Sequence, residues 1–86
     1  MKTVKHTVKD PNGIHARPAG VLVNTAKSFE SQVHIVSGDK RGDCKRIFAL
    51  MGMSLKCGDS FTVEISGIDE DAAAAAISEA IESSGI

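Results

Sequence analysis

The sequence predicts an α+β fold in the order β-α-β-β-α-β-α, with an antiparallel sheet and helices forming two layers around one core. Apolar and β-branched residues alternate with period two in several short segments, and apolar residues recur at three- and four-residue steps in longer ones. Pro, Gly and Asn-Gly breaks separate these segments. With 86 residues, 42% hydrophobic and 24% charged, the chain is long enough for one modest core and too apolar for a disordered tail. One domain over residues 1–86 is expected.

Thr3 to Val8 alternates as a half-buried strand does, and Asp10-Pro11-Asn12-Gly13 ends it, since Pro and Asn-Gly supply the backbone angles of a turn. From Pro18 the period changes: Ala19, Leu22, Val23 and Ala26 lie on one face of a helix of about three turns. Pro18 suits its first turn, where a missing N–H costs nothing. Gln32 to Val36 reads as a second strand with Val33 and Ile35 on one face, and Ser37-Gly38-Asp39 turns it into a third around Lys40 to Cys44. Ile47 to Met51 is continuously apolar and is followed by Gly52, a helix stop, which makes it a short helix. Cys57-Gly58-Asp59 is a turn, and Phe61 to Ile65 alternates as a fourth strand. Asp69-Glu70-Asp71 places negative charge before five alanines, Ala72 to Ala76, and Ile77, Ala80 and Ile81 continue the apolar face of a long helix that Gly85 closes.

Composition narrows the function. A net charge of −1, three Phe, and no Trp or Tyr offer neither the basic surface nor the aromatic platforms of a nucleic-acid binder. No run approaches the roughly 20 apolar residues of a membrane span, and Met1 to Asp10 lacks the apolar stretch of a signal peptide, so no membrane insertion and a cytoplasmic location are expected. Cys44 and Cys57 form no CxxC pair and read as reduced thiols. With three histidines scattered along the chain, no metal or cofactor is expected. His6 and His34 lie in strands and read as surface or edge residues.

Chemistry concentrates at Asn12-Gly13-Ile14-His15-Ala16-Arg17-Pro18-Ala19, where a turn passes into the first helix. The first N–H groups of a helix have no intrahelical partners and carry the positive end of its dipole, so they hold an anion well. His15 stands where its ring could present a phosphoryl group to the Ala16 and Arg17 N–H groups, and the Arg17 guanidinium adds planar donors matched to phosphate oxygens. The same positive potential disfavours an imidazolium and favours a nucleophilic ring. A lone histidine before a helix is ordinarily a capping or surface residue; the Gly-x-His-x-Arg-Pro-Ala context decides otherwise.

Gly13-Ile14-His15-Ala16-Arg17-Pro18-Ala19 resembles the phosphorylation-site motif of the HPr family, at the place in the chain where that family carries it. The likeness continues through Ile47 to Leu55, the Gly58 turn, the Gly67-Ile68-Asp69-Glu70 turn and the last helix. It implies an open-faced β-sandwich, a four-stranded antiparallel sheet covered on one face by three helices. It also implies a phosphocarrier of the phosphoenolpyruvate-dependent sugar phosphotransferase system, a carrier and not an enzyme. Phosphoryl would reach His15 Nδ1 from enzyme I and pass to enzyme IIA domains of sugar transporters. By the same resemblance, Gly20, Ile47, Phe48 and Met51 form an apolar partner-binding patch, ringed by Arg17, Lys27, Lys45 and Arg46. Core packing of a short helix is the alternative reading of Ile47, Phe48 and Met51, and for Ile47 alone the two stand level.

Two positions depart from the family pattern. Gly20 replaces a more usual alanine, and Arg46 stands where many Gram-positive relatives carry a serine that a kinase phosphorylates. An arginine has no hydroxyl to modify, so that regulation should be absent here. A regulatory relative serving a non-sugar, nitrogen-related phosphotransfer chain would need the same histidine. A small acylphosphatase-like enzyme or a metal carrier on a similar fold is disfavoured by the lack of a Gly-rich arginine loop and of CxxC.

Overall fold

The computed structural model describes all residues, Met1–Ile86. Its elements are β1 (Lys2–Thr7), α1 (Ala16–Lys27), β2 (Gln32–Ser37), β3 (Lys40–Asp43), α2 (Ile47–Met51), β4 (Ser60–Ser66) and α3 (Glu70–Ser84). This is the predicted order. The four strands form one sheet in the order β1-β4-β2-β3, every neighbouring pair antiparallel. β1 and β2 therefore run in the same direction with β4 inserted between them, a split βαβ unit around α1.

Alternation sorts the sheet into two faces. Val33, Ile35, Phe61, Val63 and Ile65 point into the core, where Val4, Val63, Ile35 and Gly42 align in one row across all four strands. Ala19, Leu22, Val23 and Ala26 of α1 and Ala73, Ile77, Ala80 and Ile81 of α3 cover them, the helical stripes read from spacing. Gly42 makes room for α2: a side chain there would press on the Ala49 carbonyl oxygen and Met53 Sδ, each 3.3 Å away. The uncovered face is polar, with Arg41 donating to Glu64 across 2.6 Å and Thr7 paired with Ser60. The open-faced sandwich is thus the observed architecture. No helix is long and apolar enough to cross a membrane.

Local details follow their causes. α1 begins at Ala16, which puts Pro18 in its first turn, because His15 adopts the extended N-cap conformation and its carbonyl accepts the Ala19 N–H. Gly85 ends α3 in the left-handed conformation, as a glycine after the last helical residue does. Asp69, before α3, accepts hydrogen bonds from the Ser31 hydroxyl and N–H and from the Glu30 N–H, and these hold its carboxyl below the ordinary range. Both cysteines are free thiols: Cys44 is buried, which pushes it up to about 12, and Cys57 is exposed.

Candidate functional site

The segment between β1 and α1 is laced to the segment between α2 and β4. The Val8 N–H donates to Asp59, the Gly58 N–H to Val8, and the Ile14 N–H to the Leu55 carbonyl at 3.0 Å. The turn read from Asp10-Pro11-Asn12-Gly13 closes through a Gly13 N–H to Asp10 carbonyl bond of 2.9 Å. Gly13 takes φ +69°, and a side chain on it would run into the Leu55 carbonyl oxygen. Only a glycine lets the turn lie this close to its neighbour.

That turn delivers His15 to the start of α1, half-exposed. The Ala16 and Arg17 N–H groups have no backbone partner, Pro18 has no N–H, and the Ala19 N–H is already bonded to His15. The N–H groups left free at this helix start are therefore those of Ala16 and Arg17. A cleft beside them is lined by Asp10, His15, Arg17, Pro18 and Val21, with Ser83 and Ser84 from the end of α3. The Arg17 side chain is exposed and takes part in none of the ion pairs of the molecule.

One residue of the site was not found in the sequence. His15 Nε2 lies 3.2 Å from Asp10 Oδ2, while Asp10 Oδ1 accepts the Asn12 N–H at 2.9 Å. The Asn12 N–H, and behind it the His15 ring, hold the Asp10 carboxyl below its ordinary value. An ionised carboxylate can only accept, so this contact is a hydrogen bond when Nε2 carries the proton, and Nδ1 is the ring nitrogen left without a partner. The available signal was the Asp-x-Asn pattern of an Asx turn, which binds one carboxylate oxygen and leaves the other to reach the ring.

The other expected residues are more dispersed. On α2 and its start, Phe48 is 88% exposed, Met51 39% exposed, Ile47 half-buried, and Arg46 projects into solvent within 4.0 Å of Asp43. Gly20 is half-buried on α1 with open space where a side chain would stand. Lys27 closes the far end of α1, about 16 Å along the helix from Ala16. Lys45 donates its ammonium to the Phe29 carbonyl at 2.9 Å, so it braces the turn after α1. His6, on edge strand β1, packs its ring on Phe61 at 5.7 Å. His34 is half-buried on β2 opposite Glu64. A broader depression walled by Lys5, Thr7, Lys9, Ser37 and Ser60 lies along the sheet, and no helix start opens into it. No group of three or more metal-ligating side chains occurs.

The family model for the phosphotransferase system (PTS) HPr component phosphorylation site matches residues 2–83. The phosphocarrier protein HPr of Lysinibacillus sphaericus is 42% identical over 86 residues, covering 100% of this chain and 98% of that one. Among solved structures, a histidine-containing phosphocarrier protein of Mycoplasma superposes with a TM-score of 0.94 at 35% identity, covering 99% of this chain and 98% of that one. An HPr from Thermoanaerobacter tengcongensis does so at 0.90 and 34%, covering 98% and 94%. A helix start with free donors beside an arginine and a histidine thus coincides with a match along almost the whole chain, and the chain belongs to the HPr family of PTS phosphocarrier proteins.

Proposed function

We propose that the protein works in the cytoplasm as the carrier between enzyme I, which charges His15 on Nδ1, and enzyme IIA domains of sugar permeases, which discharge it. The observation that carries this reading is the His15 ring at the mouth of a helix whose Ala16 and Arg17 N–H groups are free, with Nε2 engaged and Nδ1 available. A phosphoryl group on Nδ1 is easily passed on, because a protonated ring is a good leaving group. The test is mass spectrometry after incubation with phosphoenolpyruvate and enzyme I. One phosphoryl group should arrive, on His15; labelling elsewhere, or none, counts against the reading.

Arg17 supplies a guanidinium with no competing partner, suited to the charge that develops on the phosphoryl oxygens. Arg17→Ala is expected to slow transfer roughly ten- to a hundredfold, the size of a lost charge-assisted contact of about 1.5–3 kcal/mol, with the fold intact. Stopped-flow transfer rates in both directions, alongside circular dichroism, check it.

The partner surface we assign is Gly20, Ile47, Phe48 and Met51, with the exposed Arg46 at its edge and Arg17, Lys27 and Lys45 around it. An apolar centre desolvates on docking while a basic rim steers an acidic partner. Arg46→Glu should weaken enzyme I binding more at low salt than at high salt, since rim charges are screened over about 8–10 Å at physiological ionic strength. An HPr kinase with ATP should leave the unmodified chain without phosphoserine. Binding by Arg46→Glu that is unchanged across a salt titration would remove Arg46 from the rim.

A further inference from the structure

We infer that Asp10 is a positioning residue of the phosphoryl relay: it keeps the proton on Nε2 of His15, so that Nδ1 is the nucleophile and no proton moves when phosphoryl arrives or leaves. The inference rests on the carrier role proposed above and adds a residue to it. Three features of the molecule support it.

The first is the division of labour within one carboxylate. Oδ1 is tied to the Asn12 N–H at 2.9 Å and Oδ2 faces Nε2 at 3.2 Å, so the backbone turn aims the group that aims the ring. The partner of one imidazole nitrogen decides which nitrogen keeps its lone pair. The second is the charge arrangement. The groups facing the ring across the cleft are the Asp10 carboxylate, the Arg17 guanidinium, and from α3 the uncharged hydroxyls of Ser83 and Ser84. Asp10 faces the side of the ring that becomes positive, and Arg17 supplies charge for the phosphoryl oxygens. The third is that both hydroxyls are already donating, Ser83 to the Ala80 carbonyl and Ser84 to the Ile81 carbonyl. Neither competes with the ring for Asp10.

The step balances without an added reactant. The Nδ1 lone pair of His15 forms a bond to phosphorus as the donor's own bond to phosphorus breaks and its electron pair stays with the donor atom. His15 then carries phosphoryl on Nδ1 and a proton on Nε2, a cationic ring facing Asp10. On transfer, the N–P electron pair returns to Nδ1 and leaves a neutral imidazole, with its proton still on Nε2.

Asp10→Asn separates this role from the turn. Asparagine retains an oxygen for the Asn12 N–H but presents an amide N–H to Nε2, so it favours the opposite tautomer. In nitrogen-15 NMR of the full-length chain, the ring should be mainly the Nε2–H form in the parent and shift toward the Nδ1–H form in Asp10→Asn. Transfer from phosphorylated enzyme I should slow by at least tenfold, on the order seen when a histidine's orienting partner is removed. For chains loaded chemically with phosphoramidate, the pH range of rapid phosphoryl loss should move to lower pH in the variant, because Nε2 surrenders its proton more readily. Unchanged tautomer populations together with an unmoved pH profile would overturn the role. Slowing by the same factor at every pH, with the parent tautomer, would also overturn it and leave Asp10 as a turn residue. Neither the NMR nor the chemical loading uses enzyme I, so a parent chain that refuses phosphoryl from enzyme I would count against the carrier reading alone.

Discussion

His15→Ala is expected to abolish phosphoryl acceptance from enzyme I, while His6→Ala and His34→Ala keep it. The three histidines differ in what surrounds them. His15 alone stands at a helix start with free N–H donors and an arginine in the same cleft. The His6 ring lies on Phe61 in an edge strand, and its buried Nε2 has no hydrogen-bond partner. His34 faces Glu64 in the middle of the sheet. Neither lies beside a helix N-terminus, where developing negative charge would be met. Counting acid-labile phosphoryl by mass spectrometry on the three variants decides the matter, and label retained by His15→Ala would remove His15 as the acceptor.

Gly13→Ala should injure both stability and transfer. An alanine at φ +69° carries the strain of the left-handed region, and its methyl group would strike the Leu55 carbonyl oxygen that receives the Ile14 N–H. The expected loss is on the order of 1–3 kcal/mol. For a domain of this size that lowers Tm by roughly 4–8 °C per kcal/mol. The displaced turn would also carry Asp10 and His15 with it, so transfer should fall more than stability alone accounts for. Thermal unfolding and transfer rates on the same preparation check both effects; a variant with parental Tm and parental rate would show that the turn has slack.

The order of elements was legible because each announces itself locally. The alternation Phe61 to Ile65 and the spacing of Ala19, Leu22, Val23 and Ala26 appear in the structure as buried faces. Pro18 marks the first turn of α1 in the sequence, while the capping conformation of His15, which sets the first helical residue, sends no local signal. His15, with the Ala16 and Arg17 donors, was legible for another reason: a helix start and a motif coincide there. Asp10 was not, since its contact with His15 spans five residues and exists only once the Asp10 to Gly13 turn has closed. Lys45 illustrates a different limit. A cation in a basic run looks free in sequence, and its carbonyl partner, Phe29, lies sixteen residues away.

The insertion of β4 between β1 and β2 has a consequence for how the chain comes off the ribosome. A nascent chain that has emerged only as far as Asp59 has both outer strands of the gap and nothing to fill it. Its two unpaired edges are open to other chains until Ser60 to Ser66 appears, which is the hazard of non-local pairing. The lacing of Val8 and Ile14 to Leu55, Gly58 and Asp59 is made by residues that directly precede this last strand. The loop that carries His15 therefore takes its shape late in synthesis, only after the residues that lead into β4 have emerged.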